Sequence, residues 1–523
     1  MKVRLCLVAL LSTHALYGVY GKSFLTFKPS FAFNDPERRA LLDVYGEKGL
    51  LQATIFGGRT CDEQELGRYY LPDDAACMRI AEDGSSSFRG SQVTAAFMNI
   101  ITEPIKDKAT ADFLSLVPDM TYSSSVLFCP RRSEVGAGFV ARYDFCRRDW
   151  GDVWAMLATS VVQLRHSLNI SERILNSGGT GPDSGYGYKT LCAMISAGCP
   201  QWNYGKFCGG CLKKTGVPEV EVTLGHDHIN EELGVTQSFL GVTIPTGSKV
   251  CQRYMFEPVV GNGRHVTVFG GVAGNYTVES TKEADFNFAV SGLLRYTCAH
   301  DELRSFDLKN KPWSRYMLVW KNDDALSNPA VAANVTEALD RMAPLINYST
   351  LCVSVEPKWS LDVNAALQYE RTKFSCELGY HGYARQAEDT CLCNACMTSG
   401  LGLQAFTNYL REWEVSDDTP KTRSFDSINS RVFSAASDLV DYSYIPSSGT
   451  YPEMYVPITV DSLDKYSALT PAALVHTVYG TLAYQCGSDR VPVKLLVGAL
   501  YRSAVDNSAP HDWKVWGTIA FAF

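Results

Sequence analysis

The sequence predicts an all-β protein, a transmembrane antiparallel β-barrel of about 16–18 strands with long extracellular loops and a few short loop helices. Three observations carry this. Long runs alternate apolar and polar residues with period 2. Those runs are longer than the five or six residues of an average soluble strand and approach the ~9–11 that cross a bilayer at a tilt. Aromatic side chains, 11% of the composition, gather near the ends of the runs (Phe286, Tyr296, Tyr369, Tyr380, Tyr383, Trp513), as interfacial girdles require. With 46% hydrophobic and 20% charged residues, the chain is too apolar to be disordered. A mean hydropathy of −0.09 excludes a bundle of membrane helices.

Residues 1–21 read as a signal peptide: basic Lys2 and Arg4, the apolar run from Leu5 to Leu11, and small residues ending at Gly21. After it, no stretch reaches the ~18 apolar residues of a membrane helix; the longest, Val153 to Leu164, contains Thr, Ser and Gln. Residues 22–523 are expected to form a single barrel domain. The formal net charge is −8, and removal of Lys2 and Arg4 makes it more acidic, which excludes a nucleic-acid partner. Segments 35–47, 336–345 and 427–439 have weak helical spacing and are expected as loop helices.

Alternation is clear in residues 134–145, 219–225, 285–296, 360–370, 372–383, 473–484 and 491–502. In 360–370, Leu361, Val363, Ala365, Leu367 and Tyr369 oppose Asp362, Asn364, Gln368 and Glu370. A soluble sandwich would turn the apolar face to a shared core; a membrane barrel turns it to lipid and its polar face to a wet lumen. The strand lengths and the acidic and amide side chains of the polar faces favour the barrel. Residues 400–456 form the longest stretch without alternation, a long loop or a lumen insert. The last thirteen residues, HDWKVWGTIAFAF, alternate again, with Trp513, Val515, Ile519, Phe521 and Phe523 on one face. A closed barrel pairs its last strand with its first, because an open edge in lipid leaves backbone groups unsatisfied.

No constellation supports an enzyme, and no cofactor or metal is expected. Ser184 lies in a glycine-rich loop with no paired His or Asp motif. His226 and His228 share a strand face without a third ligand, a weak metal signal. Seventeen cysteines are many for this length, and an exported protein places them in an oxidising compartment. Cys208, Cys211, Cys391, Cys393 and Cys396 are therefore disulfide candidates rather than zinc ligands. Sequons at Asn169, Asn275, Asn334 and Asn347 fit a competing reading, a soluble secreted β-rich glycoprotein.

The terminal Phe preceded by apolar residues at every second position resembles the assembly signal of Gram-negative outer-membrane barrels. Segments from Tyr204–Cys208 through "EVEVTLGHDH", "IPTG" and "FEPVVGNG" to the Gly270-Gly271 strand, and later "FSCELGYHGYAR" and Tyr455–Ile458, resemble the porin-like outer-membrane proteins of intracellular Gram-negative bacteria, a largely uncharacterised family. The resemblance implies a bacterial outer-membrane location, outer-membrane lipid as surroundings, a barrel-assembly machinery that reads Phe521 and Phe523, and room for a homo-oligomer. It also implies a porin-like channel for passive diffusion of small hydrophilic solutes, with disulfide reinforcement. The alternative is a structural or adhesive barrel without an open pore. Asp285, Asn287, Arg295, Asp362, Asn364, Gln368 and Glu370 are the expected pore lining, and the acidic bias predicts a mild cation preference.

Overall fold

In the computed structural model, described residues run from 21 to 523, leaving out 40–47, 72–76, 82–122, 177–190, 322–341, 405–454 and breaks of one to three residues elsewhere. Twelve antiparallel strands close into a barrel: β1 Gly49–Thr60, β2 Arg131–Arg148, β3 Gly151–Ser167, β4 Glu219–Asn230, β5 Gly234–Pro245, β6 Thr267–Ser280, β7 Asp285–Thr297, β8 Lys358–Arg371, β9 Phe374–Arg385, β10 Ala473–Ser488, β11 Val491–Ala504 and β12 Asp512–Ala522. Each pairs with its chain neighbours, and β1 pairs with β12 from Leu50↔Ala522 to Thr60↔Asp512, so the wall has no free edge. A short strand, Cys211–Gly216, extends the sheet beside the far end of β3.

The burial pattern is inverted relative to a soluble protein. Leu51, Ile55, Leu240, Leu367, Leu378 and Val497 are among the most exposed large side chains, while Glu221, Asp362, Asn364, His381 and Lys514 are buried. Such a wall suits lipid outside and a polar interior. Two aromatic pairs mark the ends of β7 and β8: Phe286–Tyr369 with ring centroids 4.9 Å apart, and Tyr296–Trp359 at 4.8 Å. Phe286 and Tyr296 are ten residues apart, roughly 33 Å along a strand, which a ~40° tilt reduces to about 25 Å, the height of the apolar band of such barrels. No described helix is long and apolar enough to cross a membrane.

The twelve strands correct the expected 16–18. Described residues of the long connections fold above the barrel instead of lengthening the wall. At one end the strands join through connections of two to four residues; at the other, residues 61–130, 168–218, 246–266, 298–357, 386–472 and 505–511 run between them. The described parts of these connections build a cap with small sheets of its own, such as His300–Ser305 with Thr350–Glu356 and Asp389–Thr390. One cap core packs Leu66, Tyr69 and Tyr70 of helix α1 (Glu63–Tyr70) with Phe128, Phe207, Trp313 and Tyr316. A second gathers Phe306, Val319, Leu345, Leu351, Val355 and Leu463.

Of the expected helix at 35–47, the described part, 35–39, holds a single 3-10 turn, Pro36–Arg38, and 40–47 lie outside the described residues. Of 336–345, the described end Met342–Pro344 is a short strand. Segment 427–439, the signal peptide up to residue 20 and most of 400–456 lie outside the described residues.

Candidate functional site: a segment inside the barrel

Around eight strands, wall side chains just fill a barrel; twelve leave room to spare. Residues 22–39 occupy it. The segment starts in the cap, where the Gly21 amide donates to the Leu71 carbonyl at 2.8 Å, Tyr69 Oη donates to the Phe24 carbonyl at 2.7 Å and Lys22 Nζ to the Tyr466 carbonyl at 2.7 Å. It then enters the lumen. Phe31 stacks on Phe56 of β1, with centroids 6.0 Å apart and planes 5° from parallel. Phe33 leans on Phe239 of β5 at 4.5 Å and Phe269 of β6 at 5.7 Å.

Charge fixes the segment to the wall. Lys28 Nζ lies 2.7 Å from Asp35 Oδ1 of the segment and 2.5 Å from Asp362 Oδ1 of β8. Arg38 pairs with Glu221 of β4, and Arg39 with Glu377 of β9 at 3.0 Å. Glu37 lies 3.3 Å from Lys514 of β12, whose ammonium is also 2.6 Å from Glu134 of β2. Further hydrogen bonds complete the fit. Ser30 Oγ donates to Glu134 at 2.7 Å, Ser291 Oγ of β7 donates to Asn34 Oδ1 at 2.5 Å, and Arg295 Nη2 of β7 donates to the Phe33 carbonyl at 2.5 Å.

Of the expected pore lining, Asn287, Arg295, Asp362, Asn364 and Gln368 are buried on the inward face. Arg295 Nε meets Asp362 Oδ2 at 3.2 Å, Tyr479 donates to Asn364 Oδ1 at 2.9 Å, and Gln368 donates to Glu377 at 2.5 Å. Asp285 and Glu370 stand opposite each other in the β7–β8 register near the short-turn end, half-buried, with Lys494 3.3 Å from Glu370. An open pore is therefore not what they line here: Asp362 and Arg295 are engaged by the inner segment. The sequence did not mark the segment's own residues Lys28, Arg38 and Arg39, or their partners Glu221 and Glu377. The polar faces of the strands placed the partners inward, but Lys28 and Asp362 are 334 positions apart.

Asp35, Asp362 and His381 bring three potential metal-ligand atoms together. The Lys28 ammonium already contacts both carboxylates, and His381 Nε2 bonds Asp362 at 2.9 Å. His226 and His228 point outward on either side of inward Asp227, and Ser184 lies outside the described residues. Cys208 and Cys211 are free thiols, which corrects their expected bridging; Cys391 is disulfide-bonded, and Cys393 and Cys396 lie outside the described residues. Phe521 projects outward from β12, and the Phe523 carbonyl accepts from the amides of Lys48 and Gly49 at 2.5 and 2.8 Å.

Above the lumen, His265 joins the wall to the cap. Its Nε2 is 3.1 Å from Glu302 Oε1 and its Nδ1 is 2.7 Å from the Cys298 carbonyl, so both ring nitrogens face acceptors. Burial opposes a charge there, but the Glu302 carboxylate, with the Cys298 carbonyl and Glu388, outweighs it and raises the imidazole above its ordinary value.

No protein family and no curated protein matches the chain. Similar solved structures are bacterial outer-membrane proteins. An outer-membrane channel from Pseudomonas putida F1 is 8% identical with a TM-score of 0.36, over 94% of this chain and 99% of that one. The transport unit of the autotransporter AIDA-I from Escherichia coli is 7% identical with a TM-score of 0.32, over 92% and 93%. A FadL homologue from Pseudomonas aeruginosa is 7% identical with a TM-score of 0.27, over 96% of both chains. The twelve-stranded closure rests on the strand pairing itself.

Proposed function

We propose that the protein is a gated channel of the bacterial outer membrane for small hydrophilic solutes, closed by residues 22–39. One observation carries this reading: the lumen is polar, and what fills it is a separate segment held by ion pairs rather than a core belonging to the wall. Lipid covers the apolar outer face, the long-connection end faces the outside, and β12 is the strand read during assembly. Asn275, a sequon, lies on the inward face of β6 opposite buried Ala289, where a glycan would have to point into the barrel, which speaks against the secreted glycoprotein.

The test is conductance in planar bilayers of the full chain beside the double variant Arg38→Ala/Arg39→Ala. The unmodified protein should show rare, small openings, and the variant should conduct persistently. The number of bonds between segment and wall favours a second reading, a structural barrel that never opens. Silence from the correctly folded double variant would establish that reading instead.

A further inference from the structure

The inward charges of the wall fall into two sets. Arg132 pairs with Glu134, Arg142 with Asp144 and Asp227, Arg502 with Asp512, and Lys494 with Glu370, all on the wall itself. Three other wall carboxylates, Asp362, Glu221 and Glu377, receive cations from the inner segment: Lys28, Arg38 and Arg39. Among the described residues, the wall bases near them are Arg295, 3.2 Å from Asp362 and 3.7 Å from Glu221, and His381, 2.9 Å from Asp362. Glu219, buried two positions before Glu221, forms no salt bridge among the described residues. It borders a cavity of about 100 Å³ where the inner segment meets the cap, also lined by Lys28, Arg295 and Tyr383.

The segment is built as the counterpart of this acidic set. Residues 22–39 carry four bases, Lys22, Lys28, Arg38 and Arg39, and two acids, Asp35 and Glu37. Withdrawing it would leave four carboxylates, Glu219, Glu221, Asp362 and Glu377, facing only Arg295 and His381. A buried carboxylate that loses its partner is strongly unfavourable, so the segment leaves most readily when another cation takes its place. The existing wall contacts define the replacement: an ammonium at Asp362, and guanidinium groups at Glu221 and Glu377, whose planar donors match carboxylates.

We propose that the lumen selects solutes bearing an organic cation, guanidinium or ammonium, and that Lys28, Arg38 and Arg39 occupy their sites in the closed state. Basic solutes compete with the segment and thereby open the path. This rests on the channel reading and names its substrate class.

The experiment is uptake of radiolabelled L-arginine, L-glutamate and L-alanine into proteoliposomes holding the full chain. Arginine should enter on the order of tenfold faster than glutamate, the factor that ~1.4 kcal/mol of preference gives. The isosteric double variant Glu221→Gln/Glu377→Gln should bring arginine down to the alanine rate. If it does not fold, shown by loss of heat-modifiable migration, the comparison in the unmodified protein still decides. Glutamate entering as fast as arginine, through the unmodified protein and through Arg38→Ala/Arg39→Ala alike, would overturn the proposal while leaving a channel. Entry of none of the three solutes through either protein would remove the channel reading itself, and this one with it.

Discussion

At Phe31 and Asn34 the inner segment's backbone enters the left-handed region, with φ of 67° and 75°. Asn tolerates this region; a bulky Phe does so at a cost of order 1–3 kcal/mol, and keeps it only where the surroundings hold it. Gly138 of β2 is one such support, since a Cβ there would lie 2.5 Å from the Phe31 ring. Gly138→Ala should therefore displace Phe31 and raise single-channel open probability without unfolding the wall; unchanged gating would mean that the ring does not hold the segment. At His265, both ring nitrogens face acceptors, which favours the doubly protonated ring. Its folded value lies above the ordinary value of 6.5. The stabilisation is thus complete below about pH 6.5 and is lost as pH rises through the raised folded value. Thermal melts across that interval should show cap stability falling with pH, and His265→Gln should flatten the slope. Single residues were only half legible in the sequence. Period 2 told which side Asp362 and Arg295 face, because pleating alone decides that. It could not tell that Lys28 meets Asp362, a contact made by closing the wall around a distant segment.

Strands carried their own signature. Residues 360–370 and 372–383 correspond to β8 (358–371) and β9 (374–385), and 473–484 and 491–502 to β10 and β11, because every wall strand repeats the same lipid-out, lumen-in demand along its length. Val363 of β8 lies between the boundary aromatics Trp359 and Tyr369 and is exposed on the outer face, so it meets the bilayer core. Val363→Arg should cost about 2–4 kcal/mol there. Titration of refolding in lipid vesicles should show that loss, and a change under ~0.5 kcal/mol, as for a surface substitution in water, would place this face outside a membrane. Residues 35–39, the described start of segment 35–47, depart from a helix for a related reason. The segment's apolar spacing suggested a helix, but the described part spends its side chains on the barrel interior: Arg38 on Glu221 and Phe33, Glu37 on Lys514. Lumen partners, absent from any local window, outweigh local propensity.

On the scale of the whole molecule, what the sequence withheld was how the chain is divided between wall and cap. Strand number follows from how many alternating segments pair, and total length says nothing of that once long connections fold into sheets and cores of their own. The division also gives the molecule a direction. The start of β1 and the end of β12 lie together at the short-turn end, through Leu50↔Ala522, while the cap stands at the other. Cys251 and Cys352 are exposed free thiols on the cap side, in residues 246–266 and in the Thr350–Glu356 strand. Cys376 and Cys486 sit near the short-turn end, three or fewer positions from the ends of β9 and β10. If the cap faces outward, a membrane-impermeant maleimide added to intact cells should modify Cys251 and Cys352, mapped by peptide mass spectrometry, and spare Cys376 and Cys486 until the cells are opened. The same orientation puts the entrance of the inner segment, Gly21 to Phe24, under the cap, so a solute arriving from outside would meet the segment's anchored end before its charged middle. Modification restricted to Cys376 and Cys486 would invert that order and make the closed end of the channel the inner one.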